Sequence, residues 1–513
     1  MSRKNRHAKS PKAFPRETRS GLAARALERV PSWSRWLGAI SLIAGSVLLL
    51  LGARGDLWFD EIWSFEWAER ATSAWDVIGR FPHDNNHPLN TWWLMTVGPG
   101  KPSIFYRLLS VASGIVSLFL VGRMASALVP AARGIAVLLA ALSFPLLLYF
   151  SEARGYAPAM MCSLAAALLL LESPAFPSWR RAGLFWAVCV AGMLAHATFF
   201  LALSALALWK LSQIYREIRS LPRTLSAAFA WFATPGLAAV AYGWIFLRNM
   251  QIGGGPEYAY RRVIGEFFGY SLGLPVEGPW TLAALATGVL FLVLGIGFGT
   301  WKTRIPHAGW LFVLLPIPAA IFLLIARPEI LYFRYFLVLL PFYYVALAAM
   351  LARLLISPIR AFQVGAVIAL AGYCFLQSFR VHDLVVIGRG NYNAALRAVA
   401  LSPVSNKLVT SDHDSRNRAL LQFFVRRDTT CSAVEYLPFA EAGGRAGWLI
   451  RHSQDSLSQK PELFLHSPEG SYRLVATFPY AGVSGWHWFL YRAEPRPPSF
   501  MAKLSQGKSS SIR

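Results

Sequence analysis

The sequence has 513 residues, 55% of them hydrophobic and 15% charged, with 19 Trp and 34 Phe, which is more apolar surface than one water-soluble core can hide. It also carries 50 Lys and Arg against 26 Asp and Glu, a formal charge of +24. The first fact excludes an ordinary cytosolic enzyme; the hydrophobicity that accompanies the second excludes a disordered basic tail or a histone-like nucleic-acid binder. What is left is a chain threaded many times through a membrane, where excess Lys and Arg report orientation.

Residues 1–32 hold Arg3, Lys4, Arg6, Lys9, Lys12, Arg16, Arg19, Arg25 and Arg29, so a basic cytoplasmic tail is expected. A bilayer core of about 30 Å takes roughly 20 apolar residues per helix. About eleven candidate spans follow: 33–53, 107–122, 134–150, 157–171, 182–195, 197–209, 227–247, 280–299, 309–326, 334–355 and 361–379. The stretches flanking Ser151 and His196 are short, which predicts tilted or interrupted helices. With the N-terminus inside, Arg123 and Arg133, Arg180 and Arg181, Lys210 to Arg223, Lys302 and Arg304, and Arg353 and Arg360 all fall on the cytoplasmic side. Reading 37–53 as a signal-peptide core fits less well, given the long basic lead and no clear small-residue cleavage site. Residues 54–106 form the first outer loop. The loop 249–279, with Gly253, Gly254, Gly255, Tyr258, Tyr260, Arg261 and Arg262, reads either as a mobile outer flap or as a plain connector.

After the last span the composition changes. Helix-like stretches at 391–401 and 415–426 alternate with strand-like runs at 407–410, 447–450, 473–478 and 486–491, predicting a small α/β domain over 381–495. The Pro- and Ser-rich segment 496–513 reads as a disordered tail. The fold class is thus an all-α polytopic membrane domain, 33–380, followed by a small α/β extracytoplasmic domain. Cys162, Cys189 and Cys374 lie in apolar runs and Cys431 in a polar one, so neither a disulfide framework nor zinc spacing is implied.

The carboxylates are the most telling. Between Asp84 and Asp383 there is no Asp, and Glu152, Glu172, Glu217, Glu257, Glu266, Glu277 and Glu329 fall in loops or at span ends. A midplane acid, common in ion-coupled carriers, is missing. Asp56, Asp60, Asp76 and Asp84 instead crowd the first outer loop, with Asp60 and Glu61 set among Trp58, Phe59, Ile62, Trp63, Phe65 and Trp67. That run reads as an amphipathic helix at the membrane interface with Trp as anchors. A poorly hydrated Asp there can serve as a general base; a solvated acidic face is the plainer alternative.

Other polar outliers converge on the same side: His87, Arg107, Glu152, Arg154, Tyr156, His196 and Arg334. A guanidinium at that depth can grip a phosphate by bidentate hydrogen bonds. Singly, Arg107 and Arg334 also read as snorkelling anchors, Glu152 and Arg154 as a structural ion pair, and His196 as a packed, hydrogen-bonded histidine. Their clustering favours a functional reading.

The ordered series FDEIWS, NNHPLNTWWL, FYRLLSVASGIVSLFLVGRMA, SEARGYAPAMMCSLAAALLLL, LAHATFFLAL and FRYFLVLLPFYYVALAAML resembles that of the polytopic GT-C glycosyltransferases, in particular bacterial members similar to protein O-mannosyltransferases and the lipid A aminoarabinose transferase. The resemblance covers roughly 35–355. It implies an inverting transferase in the bacterial inner membrane that takes a sugar from a polyprenyl-phosphate donor and passes it to a lipid, glycan or protein acceptor on the outer face. It implies Asp60 as catalytic base with Glu61 beside it, His87 and Pro88 in the His-Pro motif, Arg154 and Tyr156 in an Arg-x-Tyr motif, His196 after a short span, and Arg334 and Tyr335 in an Arg-Tyr pair. Arg154, Tyr156, Arg334 and Tyr335 would then meet the donor phosphate, and His87, Arg107, His196 and Glu152 the substrates. A divalent metal is compatible with Glu61, His87 or His196 as ligands, although some members of the family need none. The HPLN turn departs from the family, where a second Pro is often found, and the C-terminal domain matches no motif. A lipid or solute transporter or flippase is the competing class, disfavoured by the missing midplane acids and missing internal repeat; a non-catalytic scaffold is a third.

Overall fold

A computed structural model describes residues 30–494 apart from 302, 304, 306, 443, 455–460 and 468–469. Most of the expected basic tail 1–32, the expected tail 496–513, and Lys302 and Arg304 lie outside the described residues. The chain is a polytopic membrane protein. Seven helices are long and apolar enough to span a bilayer: Ser32–Gly52, Ser103–Leu128, Leu221–Asn249, Trp280–Thr300, Ala308–Ala326, Phe333–Leu355 and Arg360–Val386. An eighth is made if Ala132–Leu142 and Phe144–Phe150, bent by 67°, count as one span.

All eleven expected stretches are helical, yet three do not qualify by length and apolar content. Tyr156–Leu171 has 16 residues and Trp179–Ala195 has 17, about 24–26 Å at 1.5 Å per residue. Phe199–Ile218 is long enough, but Lys210, Arg216 and Glu217 fall within it. The bend at Ser143 has a local cause. Pro145 sits in the first turn of Phe144–Phe150, where its missing N–H is harmless but continuation of the preceding helix is not. Gln377, buried in Arg360–Val386, accepts a hydrogen bond from the Phe144 N–H at 3.0 Å and donates to the Tyr270 carbonyl at 2.9 Å, so the break is satisfied by a distant side chain.

Small residues set the helix contacts, as is usual where lipid offers no hydrophobic drive. A Cβ on Gly134 would strike the Ser34 carbonyl, and Ser34 Oγ both donates to the Ala131 carbonyl and accepts from the Gly134 N–H at 2.9 Å. The loop expected at 249–279 contains a 13-residue helix, Tyr260–Leu272, whose apolar residues Val263, Phe267 and Phe268 are buried.

The C-terminal domain is a six-stranded mixed sheet in the order β2-β1-β3-β6-β5-β4. Its strands are β1 Leu408–Ser411, β2 Glu435–Tyr436, β3 Trp448–Ser453, β4 Phe464–Ser467, β5 Gly470–Phe478 and β6 His487–Ala493. The β1 pairings are parallel and those from β3 to β4 antiparallel. Helices Tyr392–Ala400 and Asp414–Val425 cover it. One apolar cluster runs from Trp488, Tyr392 and Leu420 of this domain into Trp58, Ile62, Phe65 and Tyr106 of the membrane domain. The aromatics that follow the first span are therefore not all interfacial anchors. Trp58 is buried against Trp486 and Trp67 against Trp63 and His83, and Phe65 meets Phe423 edge to face at 5.8 Å, so the C-terminal domain covers part of this helix.

The junction is latched by charge as well. Arg389 is buried; it donates to the Gly52 carbonyl (2.7 Å), the Leu148 carbonyl (2.6 Å) and Ser151 Oγ (2.8 Å), and lies 3.4 Å from Glu152. Asp56 accepts from the Asn393 N–H at 2.7 Å, and Arg427 pairs with Glu69 at 2.8 Å. Truncating Arg389 strands a buried carboxylate and three acceptors, so Arg389→Ala is expected to cost about 3–5 kcal/mol. The measurement is the thermal unfolding midpoint in detergent, and an unchanged midpoint would contradict the latch.

Candidate active site

The segment after the first span folds into the helix Phe59–Arg70, whose start is fixed by its third residue: Glu61 Oε2 accepts from the Trp58 N–H at 3.1 Å. Glu61 is fully buried. Arg107 reaches it from Ser103–Leu128 with two parallel hydrogen bonds, Nε to Oε1 at 2.7 Å and Nη2 to Oε2 at 2.6 Å, and the Ala153 N–H adds a fourth bond at 2.7 Å. Burial alone would raise the Glu61 carboxyl, but the charge and hydrogen bonds of Arg107 outweigh it and hold the group below the ordinary glutamate value. Arg107 in turn donates to the carbonyls of Ala53, Arg54, Gly55 and Asp56 at 2.8–3.2 Å. Neither residue lines the cavity described below. The structure makes Glu61 and Arg107 a strut rather than a second catalytic carboxylate and a substrate contact. Arg107 is no snorkelling anchor either.

Successive helix residues point about 100° apart, so the strut that locks Glu61 inward turns Asp60 to another face. There Asp60 Oδ2 lies 2.9 Å from Arg154 Nη1 and 3.4 Å from Arg334 Nη1. Arg154 belongs to the loop between Phe144–Phe150 and Tyr156–Leu171, which is clamped on several sides. Asn90 Nδ2 donates to the Ala153 carbonyl at 2.7 Å, Ser110 Oγ to the Arg154 carbonyl at 2.9 Å, and a Cβ at Gly155 would collide with the Ala195 carbonyl. The Arg154 guanidinium stacks on Tyr156 at 5.0 Å and Trp58 at 5.7 Å and donates to Asn85 Oδ1. Arg334, on the 3-10 turn Phe333–Leu339, stacks on Tyr332 at 4.3 Å. Asn85 closes the ring, its Nδ2 donating to the Asp60 carbonyl at 2.8 Å. The Nε of Arg154 and of Arg334 has no hydrogen-bond partner among the described residues.

Glu152 lies 4.0 Å from Arg154 but 3.4 Å from Arg389. Its main partner is therefore Arg389, which joins from beyond the last span, and not the sequence neighbour. Burial holds its carboxyl above the ordinary value despite both arginines.

His87, Tyr156 and His196 pack behind Arg154. His87 precedes Pro88 at the start of Pro88–Val97. Its ring stacks on His196 at 4.6 Å, and Tyr156 lies on His196 at 4.2 Å. Thr198 N–H donates to His196 Nδ1 at 3.1 Å, while both nitrogens of His87 lack partners among the described residues. Tyr156 carries the Arg154 stack and the two histidines pack on Tyr156; none of the three lines the cavity, whereas Tyr335 does. The donor set envisaged for a metal does not fit. Glu61 is consumed by Arg107, and among the described residues no group of three or more His, Cys, Asp or Glu could hold an ion.

Asp60, Arg154, Arg334 and Tyr335 line one cavity of about 220 Å³, whose far wall is made by Arg416 and Trp486 of the C-terminal domain. Gly253 lies on its rim, its N–H donating to Asp84 Oδ1 at 3.1 Å. An apolar groove of about 280 Å³ runs beside it, lined by Phe267, Phe268, Leu315, Phe336 and Phe342. The helix Tyr260–Leu272 and the Phe333–Leu339 turn contribute to both. Asn85, Arg389, Arg416 and Trp486 escape sequence reading. Only Asn85, two residues before the His-Pro pair, carried a local signal.

No protein-family model matches the chain, and no curated protein matches its sequence. Among solved structures, the chain is similar to ArnT. The crystal structure of ArnT from Cupriavidus metallidurans in the apo state gives a TM-score of 0.48 at 13% identity, covering 92% of this chain and 100% of that one. The same protein bound to undecaprenyl phosphate gives 0.47 at 12%, covering 90% and 99%. AglB, the oligosaccharyltransferase from Archaeoglobus fulgidus, in complex with an inhibitory peptide and a dolichol-phosphate, gives 0.43 at 10%, covering 82% and 69%. At that overlap and identity, likeness alone assigns neither a site nor a reaction.

Burial, reinforced by neighbouring positive charge, pushes His87 well below 6.5 and His196 down to about 3. The folded protein therefore declines protons that the unfolded chain accepts. Stability from these groups is full above pH 6.5 and falls as pH drops below it. The unfolding midpoint is expected to decline from pH 6.5 downward, with a flatter slope between pH 6.5 and 4.5 in His87→Gln/His196→Gln; equal slopes would contradict neutral burial.

Proposed function

We propose that this protein is a glycosyltransferase that moves a sugar from a polyprenyl-phosphate donor to an acceptor hydroxyl of a protein, lipid or glycan, with inversion at the anomeric carbon. One observation carries the reading. A single carboxylate, Asp60, is held by the guanidinia of buried Arg154 and half-buried Arg334, each of which keeps an unsatisfied N–H donor, in a cavity flanked by a groove with apolar walls. One carboxylate between two arginines leaves positive charge for an incoming anion, since Glu152 is engaged by Arg389. The groove suits an isoprenoid chain, and the ordered motifs that resemble GT-C enzymes support the same assignment. The basic loops support an inner-membrane location with the N-terminus in the cytoplasm and the site outside.

In this reading the donor phosphate takes Arg154 and Arg334, which loosens their hold on Asp60. Asp60 Oδ2 then accepts the proton of the acceptor hydroxyl as that oxygen attacks the anomeric carbon. The bond from that carbon to the phosphate oxygen breaks, and its electron pair leaves with polyprenyl phosphate, stabilised by the two guanidinia and, at the cavity wall, by the Tyr335 hydroxyl. Phosphate is a good leaving group, so no acid is required opposite it.

Asp60→Asn is expected to lower transfer by about 10²–10⁴-fold, the range for loss of a general base, with polyprenyl-phosphate binding retained. Arg154→Ala and Arg334→Ala should raise the KM for the donor. An active Asp60→Asn protein would remove the base, and unchanged donor dependence in both arginine variants would remove the phosphate site. The assay is sugar transfer by the purified protein from undecaprenyl-phosphate sugars, with membrane insertion monitored in parallel.

A further inference from the structure

One part of the cavity is built across the junction of the two domains. Trp58, immediately before the helix Phe59–Arg70, and Trp486, immediately before β6, are each 4% exposed, and both line the cavity that holds Asp60. Their rings meet edge to face at 6.3 Å. Arg154 stacks on Trp58 at 5.7 Å and Arg416 on Trp486 at 5.4 Å. Neither indole N–H has a hydrogen-bond partner among the described residues, although a buried indole N–H usually finds one.

We infer that these two indole N–H groups bind ring hydroxyls of the transferred sugar, which makes Trp486 of the C-terminal domain a determinant of donor-sugar recognition. The inference rests on the polyprenyl-phosphate reading above. A sugar is joined to its phosphate by a single oxygen, so a phosphate held by Arg154 brings the sugar ring beside Trp58, the indole on which Arg154 itself stacks. An aromatic face with an N–H edge matches a ring that presents both C–H faces and hydroxyls. The acceptor has a separate approach: a cavity of about 590 Å³ opens between Glu66, Gly255, His413 and Ser415 and shares Phe59, Trp63, Gly254 and Arg416 with the first. Trp58 and Trp486 line the Asp60 cavity but not this outer one, and the stack of Arg154 on Trp58 puts them on the donor side of Asp60.

The test compares full-length wild type, Trp486→Phe and Trp58→Phe in detergent for binding of undecaprenyl phosphate and of its mannose, glucose and 4-amino-arabinose esters. Wild type is expected to bind at least one ester more tightly than undecaprenyl phosphate. Each Phe variant should weaken that ester by about tenfold, the size of one hydrogen bond, while undecaprenyl phosphate affinity stays unchanged, which also shows that the variants fold. Ester affinity that survives both substitutions, or a variant that weakens undecaprenyl phosphate and ester alike, would overturn the subsite. So would wild type binding no ester better than undecaprenyl phosphate. A wild type that binds no undecaprenyl phosphate at all points instead to failure of the donor assignment.

Discussion

The site depends on the ion pair between Arg107 and Glu61. Arg107 uses both edges of its guanidinium, one on the carboxylate and one on four successive carbonyls, Ala53 to Asp56, where the first span turns into the loop that follows it. Glu61 passes the constraint on through its bonds to the Trp58 and Ala153 N–H groups. A single buried pair thus fixes the exit of the first span, the start of the helix Phe59–Arg70 and the loop that carries Arg154. Burying two charges is expensive and is offset only when geometry and hydrogen bonding are complete. Here every oxygen of Glu61 is used, so the pair holds its place rather than exchanging partners.

A second layer comes from the C-terminal domain. Arg389 enters the membrane domain from beyond the last span and takes Glu152, which would otherwise neutralise Arg154. Trp486 and Arg416 close the far wall of the cavity, and Phe423 packs on the outer-loop helix. The domain therefore shapes the Asp60 cavity directly, and its relation to the membrane domain is one of shared core rather than tethering.

How much of this was legible in the sequence follows from the range of each interaction. Helices in the membrane announce themselves by local composition, and the positions of all eleven stretches, the main strands and the α/β character of the C-terminal domain could be read because hydrophobic period is a local property. The scarcity of acid narrowed the search to Asp60 and Glu61, and polar outliers at span ends pointed to Arg154 and Arg334. Composition could not separate Asp60 from Glu61, since adjacent residues share it; their difference arises from which one meets Arg107, 46 positions away. The Trp-rich loop looked interfacial because nothing local says that a domain more than 300 residues later covers it. Arg389 and Trp486 were invisible for the same reason: their partners are Glu152, 237 positions distant, and Trp58.

The two neighbouring carboxylates differ in how firmly they are held. Glu61 is bidentate to a single guanidinium and saturated by backbone N–H groups. Asp60 is touched through one oxygen by two guanidinia at unequal distances, 2.9 and 3.4 Å, and the Nε of each arginine has no partner among the described residues. An arrangement with donors to spare can exchange partners at little cost, because an anion that enters gains hydrogen bonds already missing from the resting site. Arginine paired with carboxylates at two consecutive positions thus supplies a permanent strut and a replaceable contact. The cavity is placed beside the replaceable one.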